Sequence, residues 1–273
     1  MARLLRRSIW VCLLFPGVAQ ASLIAGVATS DGIAMAADSR LNRVTAAGDH
    51  QIVSDAYIKL VIVRDRFLVG LGGKSHLGGK PVWRLVEEIG ADFPKRREMD
   101  EFTGRLSSKL CDLYRKEVPA DSKESDITIL LAGYQDGVGR LVEIKVPTGT
   151  ITPFKTTENP GMAWCGDLAI TNRLILGVDP RIKGDERWTD EERATLGQRE
   201  FVFPANTFSL ADGVELAKLT VRTSIEWSRF IAGTLAEPEL YHPTVGGPID
   251  CAIVTPEGAR WIERKSTYVE PAE

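Results

Sequence analysis

The order of strand and helix patterns along this chain limits its fold more than any single motif does. Short apolar runs joined by tight turns predict strands, and blocks of these runs alternate with pairs of amphipathic stretches that predict helices. The first block contains two hairpin patterns, with turns at 29–32 and 64–66. Parallel sheets need alternating strands and helices, and the sequence lacks that alternation. We therefore predict an α+β fold in which antiparallel hairpins form sheets and helices pack outside them.

Hydrophobic periodicity and turn residues set the expected limits of each element. Predicted strands cover residues 22–28, 33–37, 60–63, 67–71, 127–133, 140–146, 150–154, 251–254 and 259–264. Predicted helices cover residues 82–89, 102–114, 168–178 and 210–231. We expect residues 41–54 to form a polar loop. The charged segment 179–206 is expected to be a surface insertion with a short helix at 190–196.

The first 21 residues have the pattern of an export signal. Three arginines and no acidic residue stand before an apolar stretch at 9–14, and Ala-Gln-Ala at 19–21 is a cleavage site of the expected type. The apolar stretch is shorter than the roughly 20 residues that a membrane-spanning helix needs, which argues against a retained anchor. We therefore expect residues 1–21 to be removed as a signal peptide.

Removal of that segment has two consequences. Residues 22–273 would form the mature domain, and Ser22 would become its first residue with a free α-amine. The protein would be exported, to a periplasm or to the outside of the cell, and would meet a membrane only through the signal before cleavage.

Charge and ligand spacing argue against several function classes. A formal net charge of −3 leaves no basic field that favours nucleic acid. The histidines are far apart in sequence and no CxxC motif is present, so we expect no metal and no organic cofactor. Three cysteines follow the signal, which allows one disulfide, but the sequence does not select the pair. These histidines and cysteines are His50, His76, His242, Cys111, Cys165 and Cys251.

Four segments resemble the proteasome β-type subunits, which are N-terminal-nucleophile (Ntn) hydrolases. They are SLIAGV at 22–27, DGIAMAADSR at 31–40, SDAYIKL at 54–60 and FLVGLGG at 67–73. The order of predicted strands and helices then follows that family to the C-terminal hairpin. The resemblance implies a four-layer αββα sandwich of two antiparallel sheets flanked by helix pairs. It also implies assembly into homo-oligomers, ring-like in that family.

The resemblance aligns Ser22 with the N-terminal nucleophile of the family. The cleavage-site argument led to the same residue by a separate route. A serine hydroxyl needs an adjacent base, and a free α-amine, with a pKa of about 7.7–8.0, is a suitable base near neutral pH. An N-terminal serine therefore supplies both the nucleophile and the base.

The same resemblance implies roles for five other residues. Asp38 and Lys59 match the supporting carboxylate and lysine, and Arg40 matches a member of their ion network. Gly73 matches the glycine whose backbone N–H faces the oxyanion, and Leu71 matches a position in the substrate pocket. Without the resemblance, the same residues are equally an ordinary strand end, a surface lysine, a glycine turn and a core leucine.

Departures from the family pattern fall in both halves of the predicted site. The nucleophile is serine where threonine is usual, and five extra residues separate Asp38 from Lys59. The Ser-Gly pair of the family is replaced by Cys165-Gly166, followed by Asp167. Cys165 and Gly166 would support the site, although Cys165 is also compatible with a buried thiol.

The acidic and hydroxyl residues that the family has before its last strands are also replaced. Their positions fall near His242 and Val245, and Thr244 is the hydroxyl available there. We predict an exported peptidase that cleaves amide bonds in peptides or unfolded proteins. Two alternatives stay open, namely an amidase that acts on small molecules and a catalytically inactive assembly subunit.

Overall fold

The computed structural model describes most of the chain that follows the predicted signal. The described residues are 22–44, 50–94, 98–119, 122, 125–167, 169–177, 188–198, 201, 203–231 and 244–266. The predicted signal peptide, residues 1–21, and His242 lie outside this set.

The described residues form fourteen strands and five α-helices. The strands are β1 Leu23–Thr29, β2 Gly32–Ala37, β3 Leu41–Val44, β4 His50–Ser54, β5 Leu60–Val63, β6 Phe67–Gly73, β7 His76–Leu77, β8 Lys80–Pro81, β9 Ile127–Gln135, β10 Val138–Val146, β11 Thr150–Thr156, β12 Gly161–Gly166, β13 Asp250–Thr255 and β14 Gly258–Glu263. The helices are α1 Val82–Ala91, α2 Met99–Glu117, α3 Ala169–Leu176, α4 Asp190–Gly197 and α5 Leu210–Ser228. None of the helices in these ranges is long and apolar enough to cross a membrane.

Two five-stranded sheets contain most of the strands. The first sheet has the order β12-β1-β2-β13-β14, and the second has the order β11-β10-β9-β6-β5. Every neighbouring pair in both sheets is antiparallel. Two small hairpins, β3–β4 and β7–β8, form separate two-stranded sheets. Antiparallel pairing follows from the tight turns that join most sequential strands.

One apolar core lies between the two five-stranded sheets. Ile24 and Met35 of the first sheet and Leu68, Leu130 and Leu141 of the second are fully buried in it. Each such side chain stabilises the fold by about 1.5–3 kcal/mol through burial. This core fixes the position of β1, and with it the position of Ser22 at its start.

The helices cover the outer faces of these sheets unequally. On the second sheet, Phe102 of α2 stacks on Phe67 with ring centroids 4.6 Å apart. On the first sheet, α5 buries Val214, Ala217 and Val221, which share one face because they lie three or four residues apart. A Ser209–Asp212 capping box begins that helix.

The predicted four-layer αββα sandwich is wrong. The described residues form four sheets rather than two, and their five helices are not two matching pairs. Helices α1 and α2 pack on the second sheet, α5 packs on the first, and α3 packs against α5. Helix α4 buries no residue, because its sequence is almost entirely polar. The chain has a sheet-rich α+β fold. Its hairpins β3–β4 and β7–β8 are not part of a regular four-layer sandwich.

Three local predictions also need correction. Residues 41–54 were expected to be a loop, but they contain the antiparallel hairpin β3–β4. The strand β12 was not predicted, although it pairs with β1 from Leu23 to Ala28. The hairpin β7–β8 was not predicted either. The short helix expected at 190–196 is present as α4.

The cysteines of the described chain lie apart from one another. Cys111, Cys165 and Cys251 are all buried and all free. Each belongs to a different apolar cluster: Cys111 lies on the buried face of α2, Cys165 between the sheets and Cys251 beneath α5. The disulfide that the sequence allowed is therefore not formed.

Candidate active site

Ser22 stands immediately before β1, in a position enclosed by backbone on two sides. It is 3% exposed. A β-carbon built on Gly72 would lie 3.8 Å from the Ser22 β-carbon, an ordinary van der Waals distance, so Ser22 packs against β6. On the other side, the Asp167 N–H donates to the Ser22 carbonyl at 2.5 Å. The serine is thus held between the two five-stranded sheets.

Asp38, directly after β2, is the centre of a buried hydrogen-bond network. Its Oδ1 accepts from Leu23 N–H at 2.9 Å, and its Oδ2 accepts from the N–H groups of Arg40 and Gly246 at 3.1 and 3.0 Å. The ammonium of Lys59 lies 2.8 and 3.0 Å from the two oxygens. The carboxylate therefore fixes the residue after Ser22, the lysine and the chain before β13 relative to one another.

The Asp38–Lys59 ion pair is sealed from solvent. Asp38 is 0% exposed and Lys59 is 2% exposed. Burial lowers the pKa of the Lys59 ammonium below its ordinary value, since water no longer solvates the charge. The Asp38 carboxylate opposes this shift, whereas the positive charges of Lys265 and Arg40 add to it. The Asp38 carboxylate therefore offsets only part of the solvation that the Lys59 ammonium loses on burial.

Arg40 extends the network toward the surface. Its guanidinium binds Asp55 with two parallel hydrogen bonds of 2.7 and 3.0 Å. A β-carbon on Gly246 would lie 2.3 Å from the Arg40 Cζ, so only glycine fits where the guanidinium crosses the chain. Gly247 has a φ of +75°, which favours glycine as well. The Gly246-Gly247 pair is thus required by Arg40 and by the turn.

A cavity of about 40 Å³ opens beside Ser22. Four of the predicted site residues line it, namely Ser22, Lys59, Leu71 and Gly73. The remaining lining residues are Leu41, Asn42, Tyr57, Lys74, Ser75 and Val82. Tyr57 is anchored by its hydroxyl, which donates to the Ser75 carbonyl at 2.6 Å. The lining combines the apolar residues Leu41, Leu71 and Val82 with polar residues, among them Ser22, Lys59 and Lys74.

Gly73 and Leu71 each have a structural explanation besides any role in catalysis. Gly73 has a φ of +87°, and a β-carbon there would lie 1.9 Å from the Asp126 carbonyl oxygen. Leu71 is 6% exposed and belongs to the core beneath α1 and α2 as well as to the cavity wall. Both residues therefore contribute to the fold and also border the cavity.

Cys165 and Gly166 have different surroundings, although they are adjacent. Cys165 packs between the sheets, where burial raises the pKa of its thiol and keeps it protonated. Gly166 is paired with Leu23, and a β-carbon on it would lie 1.8 Å from the Ser22 carbonyl oxygen. Gly166 therefore shapes the backbone around Ser22, whereas Cys165 fills the core.

Sequence reasoning missed the arrangement of Asp167 and Thr244 beside Ser22. The Thr244 hydroxyl donates to the Asp167 carboxylate, and Asn42 Nδ2 donates to the Thr244 carbonyl at 3.0 Å. Val245 next to them is a core residue. The segment Gly161–Gly166 forms β12, whose pairing with β1 brings Asp167 beside Ser22.

The described residues contain no group of three or more histidine, cysteine, aspartate or glutamate side chains that could hold a metal ion. Ser22 carries a hydroxyl, the type of group that serves as a nucleophile in hydrolases. Lys59, which lines the same cavity, is bound by Asp38.

No protein-family model matches the chain, and no curated protein matches it. Two solved Anbu structures share this fold. Anbu (ancestral beta-subunit) from Yersinia bercovieri is 16% identical, with a TM-score of 0.51 over 88% of this chain and 86% of that one. Anbu from Hyphomicrobium sp. strain MC1 is 15% identical, with a TM-score of 0.55 over 89% and 86%.

These comparisons correct the resemblance drawn from the sequence. The matching structures are Anbu proteins, which are proteasome-like but distinct, so the assignment to proteasome β-type subunits is wrong. At identities of 15–16%, the likeness is evidence of a common fold.

Proposed function

We propose that this protein is an exported hydrolase of amide bonds whose nucleophile is the hydroxyl of Ser22. The observation that carries the proposal is the cavity that Ser22 and Lys59 line together. Lys59 is held there by Asp38, which also binds the backbone of the residue after Ser22. A buried ion pair of this kind is costly to maintain, and such pairs cluster at functional sites. The fold shared with proteasome-like Anbu proteins adds support.

The proposed reaction begins with the α-amine that is freed when residues 1–21 are removed. The amine takes the proton of the Ser22 hydroxyl, and the oxygen attacks the substrate carbonyl carbon. The Gly73 N–H stabilises the resulting oxyanion. The positive charge of Lys59 lowers the pKa of the α-amine and so favours its neutral form, which accepts the proton. As the tetrahedral adduct collapses, the C–N bond breaks and the leaving amine receives the proton. Water then attacks the ester in the same way, releasing the acid and restoring the hydroxyl.

The proposed substrates are peptides or unfolded protein segments. Leu41, Tyr57 and Leu71 provide an apolar wall that suits a side chain next to the cleaved bond. A second candidate, an amidase for small molecules, is favoured by the size of the cavity, about 40 Å³. Only a small group fits such a space without movement of the wall.

Export and assembly complete the proposal. The signal pattern of residues 1–21 supports export, since a signal peptidase would free the amine that the reaction needs. Homo-oligomers are proposed because the Yersinia bercovieri neighbour is described as a subunit. Assembly is not needed for the chemistry of a single protomer, whereas removal of residues 1–21 is.

Mass spectrometry of the N-terminus, after expression with the complete leader in a bacterial host, tests the first step. A mature chain that starts at Ser22 is the expected result. Periodate treatment of the unfolded protein provides a second check, because it oxidises an N-terminal serine that has a free amine. A chain that retains Ala21 or earlier residues would reject the mechanism and favour the inactive-subunit alternative.

Hydrolysis assays on the mature protein test the second step. Ser22→Ala should abolish cleavage, Ser22→Thr should retain it, and Ser30→Ala, in the exposed turn between β1 and β2, serves as a matched control. Fluorogenic peptides and small amides are assayed side by side, so that the preferred class separates the peptidase from the amidase. Cleavage that survives in Ser22→Ala would show that Ser22 is not the nucleophile.

A further inference from the structure

A second buried ion pair lies next to the first one. Asp250, at the start of β13, pairs in register with Ala37, the residue before Asp38. Its carboxylate binds the ammonium of Lys265 and also accepts from the Lys265 N–H at 2.8 Å. The side chains of Asp250 and Lys265 are 3% and 4% exposed. None of the sequence motifs indicated this pair.

Both charges of the first pair interact with Lys265. The positive charge of Lys265 is attracted by Asp38 and repels Lys59. Because these groups are buried, water screens their interaction weakly, and a charge nearby has a larger effect than on the surface. Removal of Lys265 therefore changes the electrostatic environment of Lys59 without touching the cavity, whose wall Lys265 does not join.

We infer that Lys265 is a positioning residue, held by Asp250 opposite Ala37 of β2, whose buried positive charge acts on the neighbouring Asp38–Lys59 pair at the proposed active site. The inference rests on the proposed function, since it assigns the Asp250–Lys265 pair to the support of the same site. Lys265 contacts no reacting atom; it acts through Asp38 and Lys59.

Lys59 is faced by charged groups from several elements. Asp38 follows β2, and Arg40 precedes β3 and pairs with Asp55. Lys74 follows β6 and lines the same cavity, and Lys265 follows β14 and pairs with Asp250 of β13. Burial and the positive charges of Lys265 and Arg40 lower the pKa of Lys59, and Asp38 raises it. Loss of the positive charge at position 265 should therefore raise the pKa of Lys59.

The test is an NMR titration of the lysine side chains in isotope-labelled protein, with the Lys59 signal assigned by its absence in Lys59→Met. In Lys265→Met, Lys59 should release its proton at higher pH than in the wild type. Lys265→Arg keeps the charge and should restore the wild-type midpoint. If Lys265→Met does not fold, Asp250→Asn combined with Lys265→Met replaces it, because the double variant has no unpaired buried carboxylate. The Lys59 midpoint should shift in the same direction in the double variant.

Lys218→Met is the matched control, because it breaks an ion pair to the same C-terminal hairpin. Lys218 binds Glu263 at 2.7 Å, and its other charged neighbour is Glu215. The Lys59 midpoint should not move in this variant. Coincident Lys59 titrations in all variants, an equal shift in Lys218→Met, or failure of both Lys265 variants to fold would overturn the inference.

Activity provides the second readout. The alkaline limb of the hydrolysis profile should move to higher pH in the Lys265→Met protein and stay in place in Lys265→Arg. If the wild type cleaves no amide, the proposed function fails, while the NMR titration still decides whether Lys265 tunes Lys59. The two ideas can therefore fail separately.

Discussion

Gly166 lies directly against Ser22: a β-carbon at position 166 would stand 1.8 Å from the Ser22 carbonyl oxygen. The glycine has a φ of +111°, a conformation that residues with side chains rarely adopt. Asp167, the next residue, donates its N–H to the same carbonyl. The end of β12 and the start of β1 therefore fit together only through backbone atoms.

Gly166→Ala should destabilise the protein and displace Ser22. The strained φ alone costs on the order of 1–3 kcal/mol, and the collision adds to it. Urea unfolding measures the loss, and hydrolysis of the best substrate should fall with it. Gly104→Ala, in helix α2, is the control, because it should change the free energy of unfolding in the opposite direction. No atom lies within 4 Å of its new methyl group, so it should stabilise by roughly 0.5–1 kcal/mol. Equal effects of the two substitutions would contradict this account.

Asp38→Asn should be among the most destabilising polar substitutions in the chain. The amide removes the charge that compensates buried Lys59, and its NH₂ group would face the N–H donors of Leu23 or Gly246. Loss of one partner of a buried ion pair costs about 3–5 kcal/mol. Glu88→Gln breaks the exposed pair with Lys80 and should cost at most about 1 kcal/mol. Denaturant unfolding measures the free energy of unfolding of both variants. Similar losses in the two would contradict a larger contribution from the buried Asp38–Lys59 pair.

The strands with clear periodicity were predictable, and those defined by their partners were not. Leu60–Val63 was predicted within its observed limits, and β6 extends two residues past the prediction. The prediction missed β12 because Pro160 and two glycines weaken its pattern; its pairing with β1 stabilises it instead. The regular four layers were inferred from resemblance, and polar helix α4 and the hairpin of 41–54 depart from them.

Short motifs singled out individual residues, whereas pairs that join distant segments leave no local pattern; the catalytic roles of the predicted residues stay predictions. Ser22, Lys59 and Gly73 were identified from short motifs, and the structure brings them to one cavity. The hydrogen bond between Thr244 and Asp167 joins segments 77 residues apart, which no local pattern shows. The Asp250–Lys265 pair was missed for the same reason.

The stability of the protein should depend on Lys59 at alkaline pH. Since burial lowers the folded-state pKa of Lys59, the unfolded chain binds more protons than the folded one between that pKa and 10.5. The contribution of Lys59 to the free energy of unfolding therefore rises with pH through that window and reaches its full value above 10.5. The free energy of unfolding of the wild type is compared with that of Asp38→Asn combined with Lys59→Met, from neutral pH to 10.5. A difference that falls as pH rises would contradict the lowered pKa.

The thiols should be unreactive in the native protein and countable after unfolding. Burial raises the pKa of Cys165 and raises that of Cys251 to about 12, and only the thiolate form reacts rapidly with disulfide reagents. Such a reagent should therefore label the native protein slowly at neutral pH. In denaturant the mature chain should show three thiols, because its cysteines lie in separate clusters and none is paired. A protein that keeps its leader should show a fourth, Cys12, and Cys251→Ala should lower either count by one. A single reactive thiol in the unfolded mature chain would instead reveal a disulfide and contradict the structure.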